Sequence, residues 1–239
     1  MGWYYMDWMY LLWVLPAVLF ASIASMRVKS TFNKYSRISN LRGMTGYDAA
    51  RRVLDAHGLY HVRIERISGN LTDHYDPKAQ VIRLSESVYS AASPAAVGVA
   101  AHEAGHAVQH AENYAPLTLR NAVVNITNIG SKLSIPLIIL GLFLSSLGQY
   151  YIYVAYAGVA CYSLCLLFQL LTLPTEFNAS SRAVAAIEGC GLLTQEELTG
   201  AKKVLRAAAM TYVAALAVSL AQFLRLLMIV TGSNRRNRN

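Results

Sequence analysis

The range Leu133–Thr175 is a run of 43 residues that contains no Asp, Glu, Lys, Arg or His. A helix needs roughly 20 apolar residues to cross the hydrocarbon core of a bilayer, so this run is long enough for two spans. A soluble fold of 239 residues has no interior large enough to hide it. We therefore predict a membrane hairpin with its break at Gly148-Gln149-Tyr150 and with spans at roughly Ile135–Leu147 and Tyr151–Leu173. The first span is short unless it begins nearer Ile126.

Two other segments have the length and composition of a span, Met6–Met26 and Ala207–Val230. The first is interpreted as an uncleaved anchor rather than a signal peptide, because no Lys or Arg precedes its apolar stretch. Gln222 and Arg225 interrupt the last one, so it could tilt, end early or turn a polar face inward. Aromatic residues, which favour the membrane interface, crowd the beginning of the anchor: Trp3, Tyr4, Tyr5, Trp8, Tyr10 and Trp13.

The basic residues predict the orientation. Five of them follow the first span closely and none precedes it, which by the positive-inside rule places the amino terminus outside and the segment 27–132 in the cytoplasm. Three arginines of the tail would break the same rule if the last segment truly crosses: Arg235, Arg236 and Arg238. The positive charges lie beside hydrophobic segments, so the net charge of +8 does not predict nucleic-acid binding.

The polar segment after the anchor predicts a small mixed α and β region. Thr45 and Asp48 begin a helix at Gly46–His57, and alternating residues predict strands at Tyr60–Glu65 and Val81–Leu84. Ser93 and Pro94 begin a helix that should run to about Glu112. A second capping box, at Thr194 and Glu197, predicts another helix after the hairpin.

The Pro94–Glu112 helix contains His102-Glu103-Ala104-Gly105-His106, the H-E-x-x-H pattern. Residues four apart lie one turn apart on nearly the same helix face, so both imidazoles can bind one tetrahedral zinc ion. Glu103 lies about 100° around the helix from His102, too far to bind that ion but near enough to contact a zinc-bound water. Zinc lowers the pKa of that water and the carboxylate accepts its proton, so the pattern predicts Glu-assisted hydrolysis.

A catalytic zinc ion needs a third protein ligand, for which there are three candidates. His110 lies too far along the helix to share the ion with both other histidines. Glu112 occupies the third-ligand position of a longer zincin motif, but that motif needs a Gly where this chain has Gln109. Glu176, a lone carboxylate at the exit of the hairpin, is the strongest candidate, although a solvated interfacial Glu would look the same. Three polar residues beyond it could orient the ligands or bind the developing oxyanion: Asn178, Ser180 and Arg182.

With these motifs the chain resembles the YugP-type neutral zinc metallopeptidases of bacterial membranes. The matching features are Thr72–Pro77, Val97–His110 with its HEAGH core, and Glu176–Ser180. The resemblance extends from the first span to the last. More distantly, the chain is similar to the HtpX-like membrane peptidases, which also combine a cytosol-facing HExxH helix with a membrane hairpin and a later Glu ligand.

The resemblance implies that His102, His106 and Glu176 bind zinc and that Glu103 is the general base. It departs from the HtpX-like pattern at Ser180, where those enzymes commonly have an acidic residue that supports a histidine. In zincins generally, a strand edge near the active helix pairs with the substrate backbone, and Val81–Leu84 could supply that edge or belong to a plain hairpin. His74 and its flanking aspartates could contact substrate or only order the turn.

We therefore predict a mainly α, multi-pass membrane protein with a small zincin-like α+β cytoplasmic domain that carries the HExxH helix. The predicted division is a transmembrane anchor, a catalytic region, a transmembrane hairpin, a third-ligand segment with a cytoplasmic helix, and a fourth hydrophobic segment with a basic tail: 1–26, 27–120, 121–173, 174–206 and 207–239.

The predicted function is that of a gluzincin-like endopeptidase in the inner membrane of a bacterium, with its active site facing the cytoplasm. It should bind one Zn²⁺ per chain and hydrolyse peptide bonds of membrane-associated or misfolded proteins on the cytoplasmic side. Its other expected partners are the lipid bilayer and, as candidates, a membrane protein or a second copy of the chain. The alternative is a non-proteolytic scaffold or chaperone-like partner with a structural zinc site, which would favour cysteine and a fourth protein ligand. A transporter would need charged residues within its spans, and the hairpin has none.

Overall fold

The computed structural model describes residues 8–236, with side chains described from 8 to 234. The predicted start of the anchor at Met6 and the tail residue Arg238 lie outside the described residues. A π-helical turn at Tyr10–Val14 and a 3₁₀ turn at Gln149–Tyr151 precede two of the long helices. The α-helices are Leu15–Ser36 (α1), Gly46–Ala56 (α2), Glu86–Tyr89 (α3), Pro94–Ala111 (α4), Ala115–Leu144 (α5), Ile152–Gly189 (α6) and Gln195–Arg236 (α7).

The described part of the chain is mainly helical and holds four helices long and apolar enough to cross a membrane. These are the helical ranges Tyr10–Ser36, Ala115–Leu144, Gln149–Gly189 and Gln195–Asn234. The prediction of a mainly α chain with four segments of span length is confirmed. The predicted break of the hairpin is also confirmed, because Gly148 lies in the interruption between α5 and α6.

The helices continue past the predicted segments in three places. α5 begins at Ala115, far before Ile135, with Pro116 in its first turn, where a missing N–H costs no helical hydrogen bond. α6 continues through Pro174 to Gly189, so Glu176 lies inside a helix rather than in a segment that follows a span. The predicted helix at Thr194 and the predicted span at Ala207 form one helix, α7. Hydrophobicity predicts only where a run of apolar residues ends. The helices extend beyond these runs because their more polar residues also pack against other elements.

Residues 24–118 and 174–211 form one compact unit, which contains a three-stranded sheet. The strands are Arg63–Ile67 (β1), His74–Asp76 (β2) and Val81–Ser85 (β3), in the order β1-β3-β2. β3 pairs parallel with β1 and antiparallel with β2, and both of its edges are therefore occupied. The interpretation of Val81–Leu84 as a free substrate-binding edge is wrong. β2 was missed because its three residues give too short a pattern of alternation.

The hydrophobic core of this unit lies between the sheet and the helices α2, α4, α6 and α7. Leu54 of α2, Ile82 and Leu84 of β3, Ile187 of α6 and Leu198 of α7 are all at most 1% exposed. α2 begins with the predicted capping box, in which the Thr45 hydroxyl accepts from the Asp48 N–H at 3.1 Å. Local capping thus sets where α2 begins, and burial of its apolar face holds it against the core.

Residues 8–23, 119–173 and 212–236 belong to the second unit. Two glycines allow its helices α5 and α6 to pack closely. A Cβ at Gly141 would lie 2.8 Å from the Cα of Ala155, and one at Gly158 would lie 2.6 Å from the Ser134 carbonyl oxygen. Small residues that let backbones approach are typical of helix contacts in membranes, where hydrophobic burial cannot drive association.

Replacing Gly105 of α4 tests how closely α4 and α6 must pack. A Cβ at this position would lie 2.8 Å from the Ala179 carbonyl oxygen, a backbone atom that cannot move away cheaply. We expect Gly105→Ala to destabilise the protein by about 1–3 kcal/mol, seen as a lower melting temperature in detergent. Gly189→Ala is the control, because a Cβ there meets nothing within 4 Å. Equal melting temperatures for the two variants would contradict the requirement for close packing.

Candidate metal centre

Helix α4 carries three of the predicted site residues. Its start is fixed by Ser93, whose hydroxyl accepts from the Ala96 N–H at 3.2 Å, and by Pro94 at the first helical position. His102 and His106 follow two turns later, with Glu103 between them at 8% exposure. The helix ends at Ala111, one residue before the predicted end.

The Glu176 carboxylate lies between the two imidazoles. Its Oε2 atom is 3.3 Å from His102 Nε2 and 3.5 Å from His106 Nε2. The side chains are 13% exposed for His102, 12% for His106 and 3% for Glu176. The imidazole planes are nearly perpendicular, at 83°, with ring centroids 4.7 Å apart. The structure thus brings together two residues of α4 and one of α6 that are separated by some seventy positions in the sequence.

These distances fit a zinc ion. Two ligand atoms at about 2.0–2.1 Å from a tetrahedral centre are separated by about 3.3 Å, which agrees with the spacing between Glu176 and the two histidines. Imidazole nitrogen and carboxylate oxygen are also ligands that zinc accepts. Among residues 8–236, this is the one group of three or more His, Cys, Asp and Glu side chains with such convergent ligand atoms.

The nearby carboxylates affect His106. Burial lowers the pKa of its imidazole, but the hydrogen bond with Glu176 and the charge of Glu103 outweigh burial and raise the pKa overall. The negative charge that raises the pKa of His106 attracts a metal cation equally well. The site is therefore electrostatically suited to a divalent ion.

Gln109 fixes the orientation of His106. Its Nε2 donates to the Thr175 carbonyl oxygen at 2.9 Å and to Asn178 Oδ1 at 2.8 Å, so its Oε1 must face the imidazole. His106 Nδ1 lies 2.9 Å from that oxygen and donates to it. In the neutral imidazole Nδ1 therefore holds the proton, and Nε2, which faces Glu176, is the nitrogen that can bind a metal ion. Gln109 is completely buried, which makes the arrangement rigid.

Asn178 and Arg182 continue this network away from the ligands. Arg182 Nε donates to Asn178 Oδ1 at 2.7 Å, and its guanidinium pairs with Glu112 at 2.7 Å. The hydrogen bond from Arg182 holds the pKa of Glu112 below its usual value. Glu112, the weak candidate for third ligand, is thus paired with Arg182 rather than placed with the two histidines. Asn178 and Arg182 were considered as residues that orient ligands or bind an oxyanion. In the structure, Asn178 accepts a hydrogen bond from Gln109, and Arg182 donates one to Asn178.

Ser180 is the partner of the other imidazole. Its Oγ lies 3.2 Å from His102 Nδ1, so each histidine has a side-chain partner at the nitrogen that faces away from Glu176. The sequence analysis named Ser180 as a candidate for orienting the ligands, but it did not predict a role for Gln109. It considered Gln109 only because this residue occupies the Gly position of the longer zincin motif. The available signal was its position three residues after His106 on the same helix face.

His74 and His110 lie outside the ligand group. His74 is exposed, and its Nδ1 is 2.9 Å from the Thr72 carbonyl oxygen. His110 Nδ1 is 2.9 Å from the Tyr75 hydroxyl, a contact that ties α4 to β2. The aspartates that flank His74 bind within the same region, because Asp73 accepts from the Ser85 N–H at 2.7 Å and Asp76 from Arg83 at 2.9 Å.

Burial raises the pKa of Asp73, and the hydrogen bonds from Ser85 offset part of that increase. The described contacts of Asp73 and Asp76 thus order the loop and the sheet. They favour the structural interpretation of these residues over contact with a substrate.

Comparison with known proteins identifies the family. Residues 10–231 match the family described as "Putative neutral zinc metallopeptidase", and the chain belongs to it. A relative in Bacillus subtilis (strain 168), "Putative membrane protease YugP", is 46% identical over 214 residues, which cover 90% of this chain and 93% of the relative. No solved structure shows a significant match. The resemblance inferred from the HEAGH motif and the later Glu is confirmed.

Gln109→Ala tests the orienting hydrogen bond. The variant leaves His106 Nδ1 without its acceptor, and loss of such a partner typically lowers metal affinity about 10- to 100-fold. We expect that decrease in zinc affinity, measured by competition with a chromophoric chelator in detergent. Gln195→Ala, at the exposed start of α7, is the control and should keep the wild-type affinity. Unchanged affinity in Gln109→Ala, at an unchanged melting temperature, would exclude the orienting role.

Proposed function

We propose that the chain is a membrane zinc endopeptidase in which His102, His106 and Glu176 bind the metal and Glu103 is the general base. The observation that carries the proposal is the convergence of three ligand atoms from α4 and α6, with Glu176 Oε2 3.3 Å and 3.5 Å from the two imidazole nitrogens. Membership of a zinc metallopeptidase family supports the same chemistry. A glutamate as third ligand makes the site gluzincin-like.

The residues of the site have different roles in the proposed reaction. When bound, zinc supplies a Lewis acid that polarises the scissile carbonyl and makes a coordinated water more acidic. Glu103 adjoins His102 on α4 and, as a carboxylate, can accept a proton from the attacking water and return it to the leaving amine. Gln109 and Ser180 keep the imidazoles oriented, so the ligands need little rearrangement during the reaction.

The number of ligands favours catalysis over a structural zinc site. Structural sites are usually closed by four protein ligands, whereas catalytic sites have three and keep one position open. The ligand group in residues 8–236 has three members and includes no cysteine. His110 and Glu112, the two residues that could have closed the site, are hydrogen-bonded to Tyr75 and paired with Arg182. This supports a peptidase over a scaffold with structural zinc.

Substrates on the cytoplasmic side of the membrane fit the distribution of charge. Basic residues follow the first apolar segment, and the positive-inside rule therefore predicts a cytoplasmic location for the segment 27–132, which includes α4. Four helices apolar enough to cross a bilayer would hold the enzyme among membrane-associated proteins. We infer that it cuts such proteins, or misfolded ones, and that one zinc ion per chain is sufficient.

Glu103→Gln tests the chemistry. The variant keeps all three ligands, so it should bind about one zinc ion per chain. Its cleavage of casein should fall about 10²- to 10⁴-fold, because the general base is lost. Zinc is measured by atomic absorption and cleavage by release of labelled fragments. Glu196→Gln, which changes an exposed carboxylate in the first turn of α7, should keep both properties. A chelator should stop the wild type, and added zinc should restore it.

Two outcomes would contradict this account. If wild type and Glu103→Gln cleave equally well, Glu103 is not the base. If neither cleaves despite full zinc occupancy, the scaffold with a structural site becomes the better explanation.

Labelling of single cysteines tests the orientation. Cys161, Cys165 and Cys190 would be replaced by Ala, and a cysteine introduced at Tyr60 or at Tyr150, which are 71% and 75% exposed. A membrane-impermeant maleimide should label Tyr150→Cys in intact bacterial cells, because the hairpin turn is predicted outside. It should label Tyr60→Cys only after permeabilisation. The reverse pattern would place the candidate active site outside the cytoplasm.

A further inference from the structure

A groove lies between α6 and α7 in the unit that holds the metal centre. Its volume is about 250 Å³. The residues that line it are Phe177, Ser180, Ser181 and Val184 of α6 and Lys202, Leu205, Arg206 and Ala209 of α7. None of the zinc ligands, and neither Glu103 nor Gln109, belongs to this lining, so the groove is distinct from the site described above.

The groove nevertheless begins beside the metal centre. Ser180 lines it and also contacts His102, with 3.2 Å between Ser180 Oγ and His102 Nδ1. Phe177 directly follows Glu176 on α6 and is 46% exposed, so part of its ring is open to contact with a ligand. Because the groove starts one residue from Glu176 along α6, a substrate that extends past the metal centre would come close to it.

The chemistry of the lining selects an apolar, negatively charged occupant. Phe177, Val184 and Leu205 supply apolar surface, while Lys202 and Arg206 are its charged residues and no acidic residue lines it. Lys202 is neutralised by Glu188 at 2.8 Å. Arg206 is exposed and has no acidic partner among the described residues, which leaves one positive charge for a ligand.

We propose that this groove binds the substrate beside the scissile bond and selects an apolar side chain next to an acidic one. The apolar side chain packs against Phe177 and Leu205, and the acidic side chain pairs with Arg206. Charge complementarity of this kind contributes mainly to discrimination between substrates. The proposal rests on the proposed peptidase function. A lipid phosphate would also suit Arg206, but the position of Phe177 directly after Glu176 favours a substrate.

Peptide binding tests the groove without any need for cleavage. The Glu103→Gln protein, loaded with zinc in detergent, would be titrated with two labelled peptides that differ only in Leu-Glu or Leu-Lys at the centre. We expect the Leu-Glu peptide to bind about fivefold more tightly by fluorescence anisotropy. Adding Arg206→Glu should reverse the preference. Adding Ser181→Trp, at an exposed position of the lining, should weaken binding of both peptides by filling the groove.

Arg52→Glu is the matched control, since it makes the same charge change at an exposed position of α2 away from the groove. If Arg206→Glu leaves the preference as Arg52→Glu does, the groove assignment is wrong even if the wild type cleaves casein. If the preference follows Arg206 but the wild type cleaves nothing, the groove stands and the peptidase function fails. If Arg206→Glu only lowers binding of phosphatidylglycerol vesicles, the groove is a lipid site and the proposal is overturned.

Discussion

The carboxylate of Glu176 is the constraint on which the candidate site depends. Its side chain is 3% exposed, and an isolated buried charge would be strongly destabilising. The two imidazoles of α4 supply the compensation, but only because α6 approaches α4 closely enough for contacts of 3.3 and 3.5 Å. Gly105 permits that approach, since any side chain there would meet the backbone of Ala179. The metal centre and the packing of these helices therefore require each other.

A second layer of hydrogen bonds makes this arrangement specific. Gln109 has its amide orientation set by the Thr175 carbonyl, and that orientation in turn sets the tautomer of His106. Because the amide is fully buried, the imidazole cannot rotate without leaving Gln109 unsatisfied. Arg182 extends the network to the surface through Asn178. The ligands are thus held ready for a metal ion by groups that never touch it.

The sequence predicted the parts of this arrangement that local patterns determine. The HEAGH motif identified the helix that carries two of the candidate ligands, and the caps at Thr45 and Ser93 identified where helices begin. Each of these signals lies within a few adjacent residues. Strand order could not be predicted in this way. The central position of β3 depends on pairing with β1 and β2, and those contacts join distant segments. The end of α6 could not be predicted for a similar reason. Hydropathy shows where apolar residues end, whereas the helix extends as far as its residues pack against other elements.

The three turns of α6 that begin at Glu176 combine two roles through helical periodicity. Glu176 and Ser180, four residues apart, face the histidines, while Phe177, Ser181 and Val184 lie about 100° farther round and line the groove. The distance between a zinc ligand and the groove is consequently set by the geometry of one helix rather than by the packing of separate elements. A bound substrate side chain that moved this helix would also move the ligand. If the groove holds a substrate side chain as proposed, α6 alone sets the distance between that side chain and Glu176.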